Sequence, residues 1–243
     1  MASPLVTVSV VSHGQNTLVN AFLSDLGKLA RGDIALIVTE NVPDGVPLVL
    51  PEGIAAERIA NAAGKGFGAN HNAAFARCAT PYFCVANPDI RLSADPFPAL
   101  LRALEDPRAA VAGPKVLSPH GSVEDSARHF PTLASLLQKL FAGPAGPEYP
   151  ADAGAQAVDW VAGMFMLFRS DAYAALGGFD ERYFMYYEDV DICRRLGRLG
   201  RRVIYEPAAA VVHDARRGSR RNLRLAAHHA ASVARFLSSS RRP

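Results

Sequence analysis

A short stretch in the last third of the chain combines a glycine turn, aromatic side chains and clustered carboxylates. It runs from Gly177 to Asp191 and has Glu188 and Asp189 side by side. Glycine permits close backbone approach, aromatic rings offer flat apolar surface, and clustered acids can hold a proton acceptor. The stretch therefore fits a binding wall beside an acid/base group. A helix start enriched in acids, which the helix dipole favours, is the structural alternative.

A second candidate for chemistry lies upstream, where the apolar segment 83–86 is followed by Asn87, Pro88 and Asp89. The proline should end a strand, and open α/β sheets place ligand contacts just beyond the carboxyl ends of their strands. Carboxylate oxygen is a ligand that Mg²⁺ and Mn²⁺ accept. The segment predicts a divalent cation site at Asp89, and a plain Asn-Pro-Asp turn is the alternative.

Alternating strand and helix patterns would position these groups. Strands are predicted at Leu5–Ser12, Ile34–Thr39, Tyr82–Ala86 and Ala109–Val116, and helices at Thr17–Leu29, Gly68–Arg77, Pro96–Glu105 and Thr132–Phe141. This rhythm predicts an α/β fold with a mostly parallel sheet and helices on both of its faces. The Pro/Gly-rich span 119–157 is predicted as a mobile excursion over the site.

The composition is that of an ordinary globular protein. The 243 residues are 49% hydrophobic and 20% charged, with a net charge of +3, and can form one large core or two small ones. The three cysteines, Cys78, Cys84 and Cys193, lack the CxxC spacing of a zinc site or the even number of a disulfide framework. The sequence shows no leader pattern and no membrane-spanning apolar run, so we expect a cytoplasmic protein.

Six segments, in their order along the chain, resemble the inverting family 2 glycosyltransferases of the GT-A fold, and among them the bacterial rhamnosyltransferases. The segments are Val6–His13, Gly64–Asn72, Asn87–Asp89, Asp159–Met164, Gly177–Glu181 and His213. The resemblance implies a GT-A domain at 1–215, with a nucleotide-sugar half at about 1–116 and an acceptor half at about 117–215.

The same resemblance implies a function. A dTDP- or UDP-linked sugar, with rhamnose from dTDP-rhamnose as the best match, would be transferred with inversion to a saccharide or lipid-linked acceptor in cell-surface polysaccharide synthesis. Two other classes remain open from the sequence. One is a sugar-nucleotide-binding protein without turnover, because Glu40 and Asn70 depart from the usual Asp and Gly. The other is a nucleotidyltransferase, which has a similar sheet and metal site.

Donor-binding roles in the first half follow from the resemblance. Glu40 stands where similar enzymes bind the nucleotide base, and His13 would stack on the base or cap its strand. Lys65, Gly66 and Asn72 would line the nucleotide-sugar pocket. The local glycine spacing is not GxGxxG, which argues against a dinucleotide-binding fold. A glycine turn leading into a packed helix is the alternative for this loop.

Catalytic and metal-binding roles follow in the same way. Asp189 would be the general base of a single in-line displacement, and Glu188 would bind the acceptor or position the base. Asn87 and Asp89 would replace the acidic pair of the fold, and a diphosphate beside Asp89 requires an intervening Mg²⁺ or Mn²⁺. His213 would help to bind that cation or the diphosphate, and a buried structural histidine is the alternative.

Three further residues complete the expected acceptor half. Gly163 lacks a Cβ and would let a donor sugar lie against the backbone. Trp160 would stack on a sugar ring or pack in the core. Asp191 is expected to pair with Arg194 and Arg195 along a helix.

The tail at 216–243 is basic and amphipathic, with arginines at 216, 217, 220, 221, 224, 235, 241 and 242. It fits a helix that packs its apolar side on the domain, and it also fits peripheral contact with the anionic inner face of the cell membrane. Nucleic acid is not expected as a partner, because the whole chain carries only +3 and lacks an RNA-binding motif.

Overall fold

The computed structural model describes residues 3–142, 146–214 and 223–239. The strands are β1 (Val6–His13), β2 (Ile34–Val42), β3 (Ala55–Ala60), β4 (Tyr82–Ala86), β5 (Ile90–Arg91), β6 (Ala109–Leu117), β7 (Ala127–Arg128), β8 (Gln156–Val158), β9 (Trp160–Val161), β10 (Phe165–Arg169) and β11 (Arg202–His213). The helices are α1 (Asn16–Lys28), α2 (Phe67–Phe75), α3 (Phe97–Ala103), α4 (Leu133–Ala142), α5 (Ser170–Ala175), α6 (Glu188–Arg198) and α7 (Leu223–Ser239).

A mixed sheet forms the centre of the molecule. Within the described ranges it has nine strands in the order β3-β2-β1-β4-β10-β6-β11-β5, and β8 pairs with β11. The neighbours β3, β2, β1 and β4 are parallel, and so are β6 and β11. The prediction of a mostly parallel sheet is confirmed.

Strand β10 runs against its neighbours β4 and β6. Its first residue, Phe165, pairs with Ala86, the last residue of β4. The segment before β10 therefore lies at the edge where the parallel strands end. The N–H of Asn87 donates to the carbonyl of Met164 at 2.9 Å, which fixes this meeting point.

Alternating side chains divide the core between the two faces of the sheet. In β1, Val6, Val8 and Val10 face a cluster with α1 and α3, while in β4 Phe83 and Val85 face a second cluster with α5 and α6. This alternation is the period of two that a strand imposes. Helices on both faces, as predicted, cover the sheet.

A small second sheet pairs β7 with β9 beside the main one. Trp160 in β9 is buried, and its indole N–H donates to the carbonyl of His129 at 3.0 Å. Arg128 lies over the indole ring, with its guanidinium carbon 5.3 Å from the ring centroid. Packing in the core, one of the two roles considered for Trp160, is therefore the one the structure shows.

The Pro/Gly-rich span contains the predicted helix and also two short strands that the sequence analysis did not predict. Helix α4 matches the helix predicted at Thr132–Phe141, strand β7 also lies within 119–157, and strand β8 begins at the end of the span. Residues 146–155 contain neither helix nor strand. Residues 143–145 lie outside the described ranges. Along the described parts of the chain, we find no helix with the length and apolar character needed to cross a membrane.

Candidate active site

Six of the predicted site residues lie at one edge of the main sheet. They end or follow β1, β4 and β11, stand in the last three residues of β2, or precede β10: His13, Glu40, Asn87, Asp89, Gly163 and His213. The carboxyl ends of parallel strands form the usual ligand edge of an open α/β sheet. The antiparallel direction of β10 brings Gly163 to that edge as well.

Helix α6 begins at the edge with Glu188 and Asp189. The N–H of Gly163 donates to Oδ2 of Asp189 at 2.8 Å, and the N–H of Val190 donates to its Oδ1 at 2.8 Å. Burial raises the pKa of the Asp189 carboxyl above its usual value, and these N–H groups offset part of that rise. Gly163 therefore holds Asp189 through its backbone.

The neighbouring Glu188 is in a drier environment. It is 5% exposed, and its Oε2 atom is buried without a hydrogen-bond partner. Burial, together with the charge of Asp189, raises the pKa of the Glu188 carboxyl well above its usual range. Since Asp189 has the stabilising N–H donors, the pair retains negative charge more easily on Asp189 than on Glu188.

A strained turn at Tyr186 and Tyr187 directly precedes both carboxylates. Tyr186 and Tyr187 each have a φ of 69°, in the left-handed region that non-glycine residues rarely occupy. Such residues cost of order 1–3 kcal/mol each, and they persist only where the surroundings fix them. The carbonyl of Tyr187 accepts the N–H of Asp191 at 2.9 Å, which starts α6 directly after the turn.

Asp191 anchors this region as the sequence predicts. Its carboxylate binds Arg194 at 3.1 Å and Arg195 at 2.7 Å, three and four residues along α6. Arg195 also donates to the carbonyls of Leu176 and Gly178. The predicted ion pairs are confirmed, and they fasten the glycine turn to α6.

On the other side of this sheet edge, Asp89, His213 and Glu124 form a chain of polar contacts. Nε2 of His213 lies 3.3 Å from Oδ2 of Asp89, and Nδ1 of His213 lies 2.8 Å from Oε2 of Glu124. Burial alone would lower the pKa of His213, but the two carboxylates raise it to about 9. The sequence analysis missed Glu124, which lies in a polar loop without a recognisable pattern.

Two separate cavities border this chain of residues. Glu124 and His213 line one of about 450 Å³, and Asp89 lines another of about 200 Å³ together with Gly14 and Asp44. Oδ1 of Asp89 is buried without a hydrogen-bond partner. An unpaired carboxylate oxygen suits a divalent cation, and the imidazole of His213 would join it as a ligand only after losing the proton that the two carboxylates stabilise.

The donor-side residues are organised by a buried asparagine. Nδ2 of Asn41 lies 2.8 Å from Nδ1 of His13 and donates to the carbonyl of Lys65 at 2.9 Å. Oδ1 of Asn41 accepts the N–H of Lys65 at 2.8 Å. Asn41 thus joins the ends of β1 and β2 to the glycine loop, a role that the sequence analysis did not assign.

Glu40 and Asn70 are the two departures from the family pattern. The side chains of both are held in place by polar contacts within the chain. Oε1 of Glu40 accepts a hydrogen bond from Asn16 at 2.9 Å, and its Oε2 lies 3.5 Å from Arg58. Asn70 is buried and donates to the carbonyl of Gly66 at 2.8 Å. The side chain of Asn70 therefore fastens the loop that a glycine would leave free.

The glycine loop at 64–68 directly contacts the wall formed by residues 177–187. The N–H of Phe67 donates to the carbonyl of Phe184 at 2.9 Å. A Cβ on Gly66 would lie 2.6 Å from that carbonyl oxygen, and a Cβ on Gly68 would lie 2.7 Å from Cβ of Phe179. Both glycines are needed for this approach of backbone to wall.

Asn72, on α2, bonds to the wall and does not lie at the strand edge. Its amide donates to the carbonyl of Phe179 at 2.9 Å and to Glu181 at 3.0 Å. Its oxygen accepts the N–H of Phe179 at 2.9 Å and the hydroxyl of Tyr173 at 2.7 Å. These four bonds use the whole hydrogen-bonding capacity of the side chain.

The family model for "Glycosyltransferase like family 2" matches residues 4–229. The chain belongs to this family. It is 31% identical to the N-acetylglucosaminyl-diphospho-decaprenol L-rhamnosyltransferase of Mycobacterium tuberculosis, over 93% of this chain and 81% of that protein. It is 29% identical to the rhamnosyltransferase WbbL of Escherichia coli, over 89% of this chain and 86% of the relative.

Solved structures agree on the fold of this glycosyltransferase. A mannosyltransferase from Pyrobaculum calidifontis, in complex with GDP-Man and Mn²⁺, superposes with a TM-score of 0.65 at 18% identity, covering 96% of this chain and 65% of the other. TarS of S. aureus with UDP-GlcNAc gives 0.63 at 11% identity, covering 88% and 60% respectively. The prediction of a nucleotide-sugar-dependent glycosyltransferase with the GT-A fold is confirmed.

We expect Asn72→Ala to destabilise the glycosyltransferase without weakening donor binding. The substitution leaves buried partners at Phe179 and Tyr173 unpaired, which should lower the free energy of unfolding by about 3 kcal/mol. Urea unfolding measures this loss. The control is Asn20→Ala, which removes a half-buried asparagine whose bonds to the backbone lie at the surface. A large loss of nucleotide-sugar affinity with unchanged stability would instead place Asn72 in the donor pocket.

Proposed function

We propose that the glycosyltransferase transfers rhamnose from dTDP-rhamnose, with inversion, to a saccharide or lipid-linked acceptor in cell-surface polysaccharide synthesis. The named activities of the two relatives at about 30% identity support the sugar. The acceptor named for the mycobacterial relative, an N-acetylglucosaminyl-diphospho-decaprenol, supports a lipid-linked substrate. The UDP-sugar donor remains the alternative that the assay below distinguishes.

The main observation that supports this proposal is the position of the Asp189 carboxylate. It accepts the N–H of Gly163 at 2.8 Å, at the ligand edge of the sheet. Inverting transfer needs one base that removes the acceptor proton while the acceptor oxygen attacks the anomeric carbon. A partly exposed carboxylate with a raised pKa and fixed direction suits that task. No covalent nucleophile is required, because the displacement is a single step.

Glu188 supports the base in this proposal. Its raised pKa favours a protonated carboxyl beside Asp189, since burial of Glu188 and repulsion from the charge of Asp189 both disfavour an ionised Glu188. A protonated Glu188 leaves the single negative charge on the residue that takes the acceptor proton. Its side chain would also be able to donate a hydrogen bond to an acceptor hydroxyl.

A divalent cation, Mg²⁺ or Mn²⁺, is proposed at Asp89 and His213. Bound there, it would neutralise the diphosphate of the donor and of the leaving group. The unpaired Oδ1 of Asp89 supports this site, and Glu124 would orient the imidazole of His213. Since no cluster of three or more His, Cys, Asp or Glu ligands occurs in the described ranges, the diphosphate and water would supply the remaining ligands.

The nucleotide would lie over the ends of β1 and β2. His13, fixed by Asn41, offers a ring face for stacking, and Glu40 offers a carboxylate for the N–H of the base. Lys65 is exposed at the adjacent loop and would approach the base or the phosphates. Asn87 and Gly163 would border the sugar and diphosphate, since the bond from Asn87 to Met164 places them side by side.

The assay that tests this function measures release of nucleoside diphosphate from dTDP-, UDP- and GDP-sugars. We expect Asp189→Asn to lower turnover by about 10²- to 10⁴-fold, the effect of losing a general base, while donor affinity stays unchanged. Asp180→Asn, at a surface ion pair with Arg182 in the same wall, is the matched control.

The outcomes separate the candidate functions. Near-wild-type turnover of Asp189→Asn would remove that residue from the base role. Release of pyrophosphate from a nucleoside triphosphate and a sugar 1-phosphate, supplied in a parallel assay, would identify a nucleotidyltransferase. Nucleotide-sugar binding without release of either product would identify a binding protein. Turnover of a UDP-sugar in preference to dTDP-rhamnose would correct the proposed donor.

Asp89→Ala should weaken cation-dependent donor binding, because the cation would lose its anionic protein ligand. We expect at least about a tenfold lower affinity for dTDP in the presence of Mn²⁺, by analogy with the effect of disrupting metal-site partners. Calorimetry with and without EDTA measures it, and the affinity without cation should not fall. An unchanged Mn²⁺ dependence would leave 87–89 as an ordinary turn.

Peripheral membrane contact is proposed for the tail, to bring the enzyme to a lipid-linked acceptor. Residues 216, 217, 220 and 221, which carry four of its arginines, lie outside the described ranges. Each basic residue near an anionic surface contributes about 1 kcal/mol, screened by salt. Replacing these four arginines with glutamine should abolish sedimentation with anionic vesicles and spare transfer to a soluble acceptor. Equal sedimentation with neutral vesicles, or none with either, would leave the tail without a membrane role.

A further inference from the structure

The strained turn before the catalytic carboxylates, residues 184–187, is covered by helix α7. The hydroxyl of Ser232, which is buried, donates to the carbonyl of Met185 at 3.0 Å. The imidazole of His228 stacks on Phe184, with ring centroids 4.6 Å apart and planes 22° from parallel. Helix α7 therefore contacts the turn through a specific hydrogen bond as well as through ring packing.

The two left-handed residues of the turn contact the same helix. The rings of Tyr186 and Tyr187 lie 5.4 Å and 5.6 Å from that of His229, both edge to face. Tyr187 also packs on Phe236, at 5.5 Å between centroids. Every residue from Phe184 to Tyr187 thus has a partner on α7.

Helix α7 is in turn fixed to α6, the helix that carries the carboxylates. Arg194 donates to the carbonyl of Phe236 at 3.2 Å and to the hydroxyl of Ser239 at 2.7 Å. The guanidinium carbon of Arg194 lies 3.9 Å from the centroid of the Phe236 ring. The packing is tight, since Phe236 is almost completely buried.

On its other side the turn is held by α2, through the bond from the N–H of Phe67 to the carbonyl of Phe184. The carbonyl of Phe184 accepts a hydrogen bond from α2, and the carbonyl of the next residue, Met185, accepts one from α7. Left-handed residues relax unless their surroundings fix them. With the α7 contacts removed, the support from α2 would act only on the first residue of the turn.

We propose that α7 is a positioning element for the catalytic base, and that Ser232 and His229 are positioning residues. They hold the left-handed turn, and the turn sets where Asp189 stands relative to Gly163. The assignment of Asp189 as the base rests on the proposed function; the support of the turn by α7 does not. A displaced carboxylate would slow the proton transfer while leaving the donor site at β1, β2 and β4 intact.

Ser232→Ala in the full chain tests this role. Ser238→Ala is the matched control, because Ser238 is exposed on the same helix and donates to Arg235 within it. We expect Ser232→Ala to lower kcat about tenfold, since small misplacements of reacting groups have effects of this size, while KM and Kd for the donor stay unchanged. Donor-binding stoichiometry gives the concentration of folded enzyme, so partial unfolding does not count as lost turnover.

Amide hydrogen exchange provides a readout that is independent of turnover. The amides of residues 186–190 should exchange faster in Ser232→Ala and in His229→Ala, and not in Ser238→Ala. If exchange or kcat in both variants equals that of the control, the proposal is overturned. If the wild-type enzyme releases no nucleoside diphosphate from any donor, the proposed function fails, and faster exchange in the two variants still supports α7 as the element that holds the turn.

Discussion

The site depends on one constraint of the sheet, which is that β10 runs antiparallel between β4 and β6. A parallel strand in that position would begin at the opposite edge, and the residues before it would be far from the ends of β1 and β4. Because β10 starts at the ligand edge, Met164 binds the backbone of Asn87 while Gly163 binds the carboxylate of Asp189. Two adjacent residues thus connect the proposed cation side to the base side.

Buried polar atoms without partners lie on both sides of that connection. Oδ1 of Asp89 and Oε2 of Glu188 are buried and accept no hydrogen bond. Such atoms cost about 1–3 kcal/mol each in an ordinary core. Proteins tolerate broken local rules mainly at functional sites, so these oxygens and the left-handed Tyr186 and Tyr187 identify the same region by independent physical signs.

The sequence predicts local features of this enzyme well and long-range ones poorly. Strand β4 and the acids after it follow from an apolar run that ends at a proline, a pattern contained in a few residues. Strand β10 was missed because both of its faces are buried, so it lacks alternation. Asn41 and Glu124 were missed because their partners lie 24 and 89 residues away. The bonds of Asn72 to the wall span 107 residues and are equally invisible to local patterns.

The close approach of Gly66 to the carbonyl of Phe184 has an evolutionary consequence. Any larger residue at position 66 would require the backbone at 184 to move, because even a Cβ would lie 2.6 Å from that oxygen. A shifted 184 would in turn displace the start of α6. The glycine loop at 64–68 and the wall at 177–187 are therefore not free to diverge separately, and a lineage that changes one of them must also accommodate the change in the other.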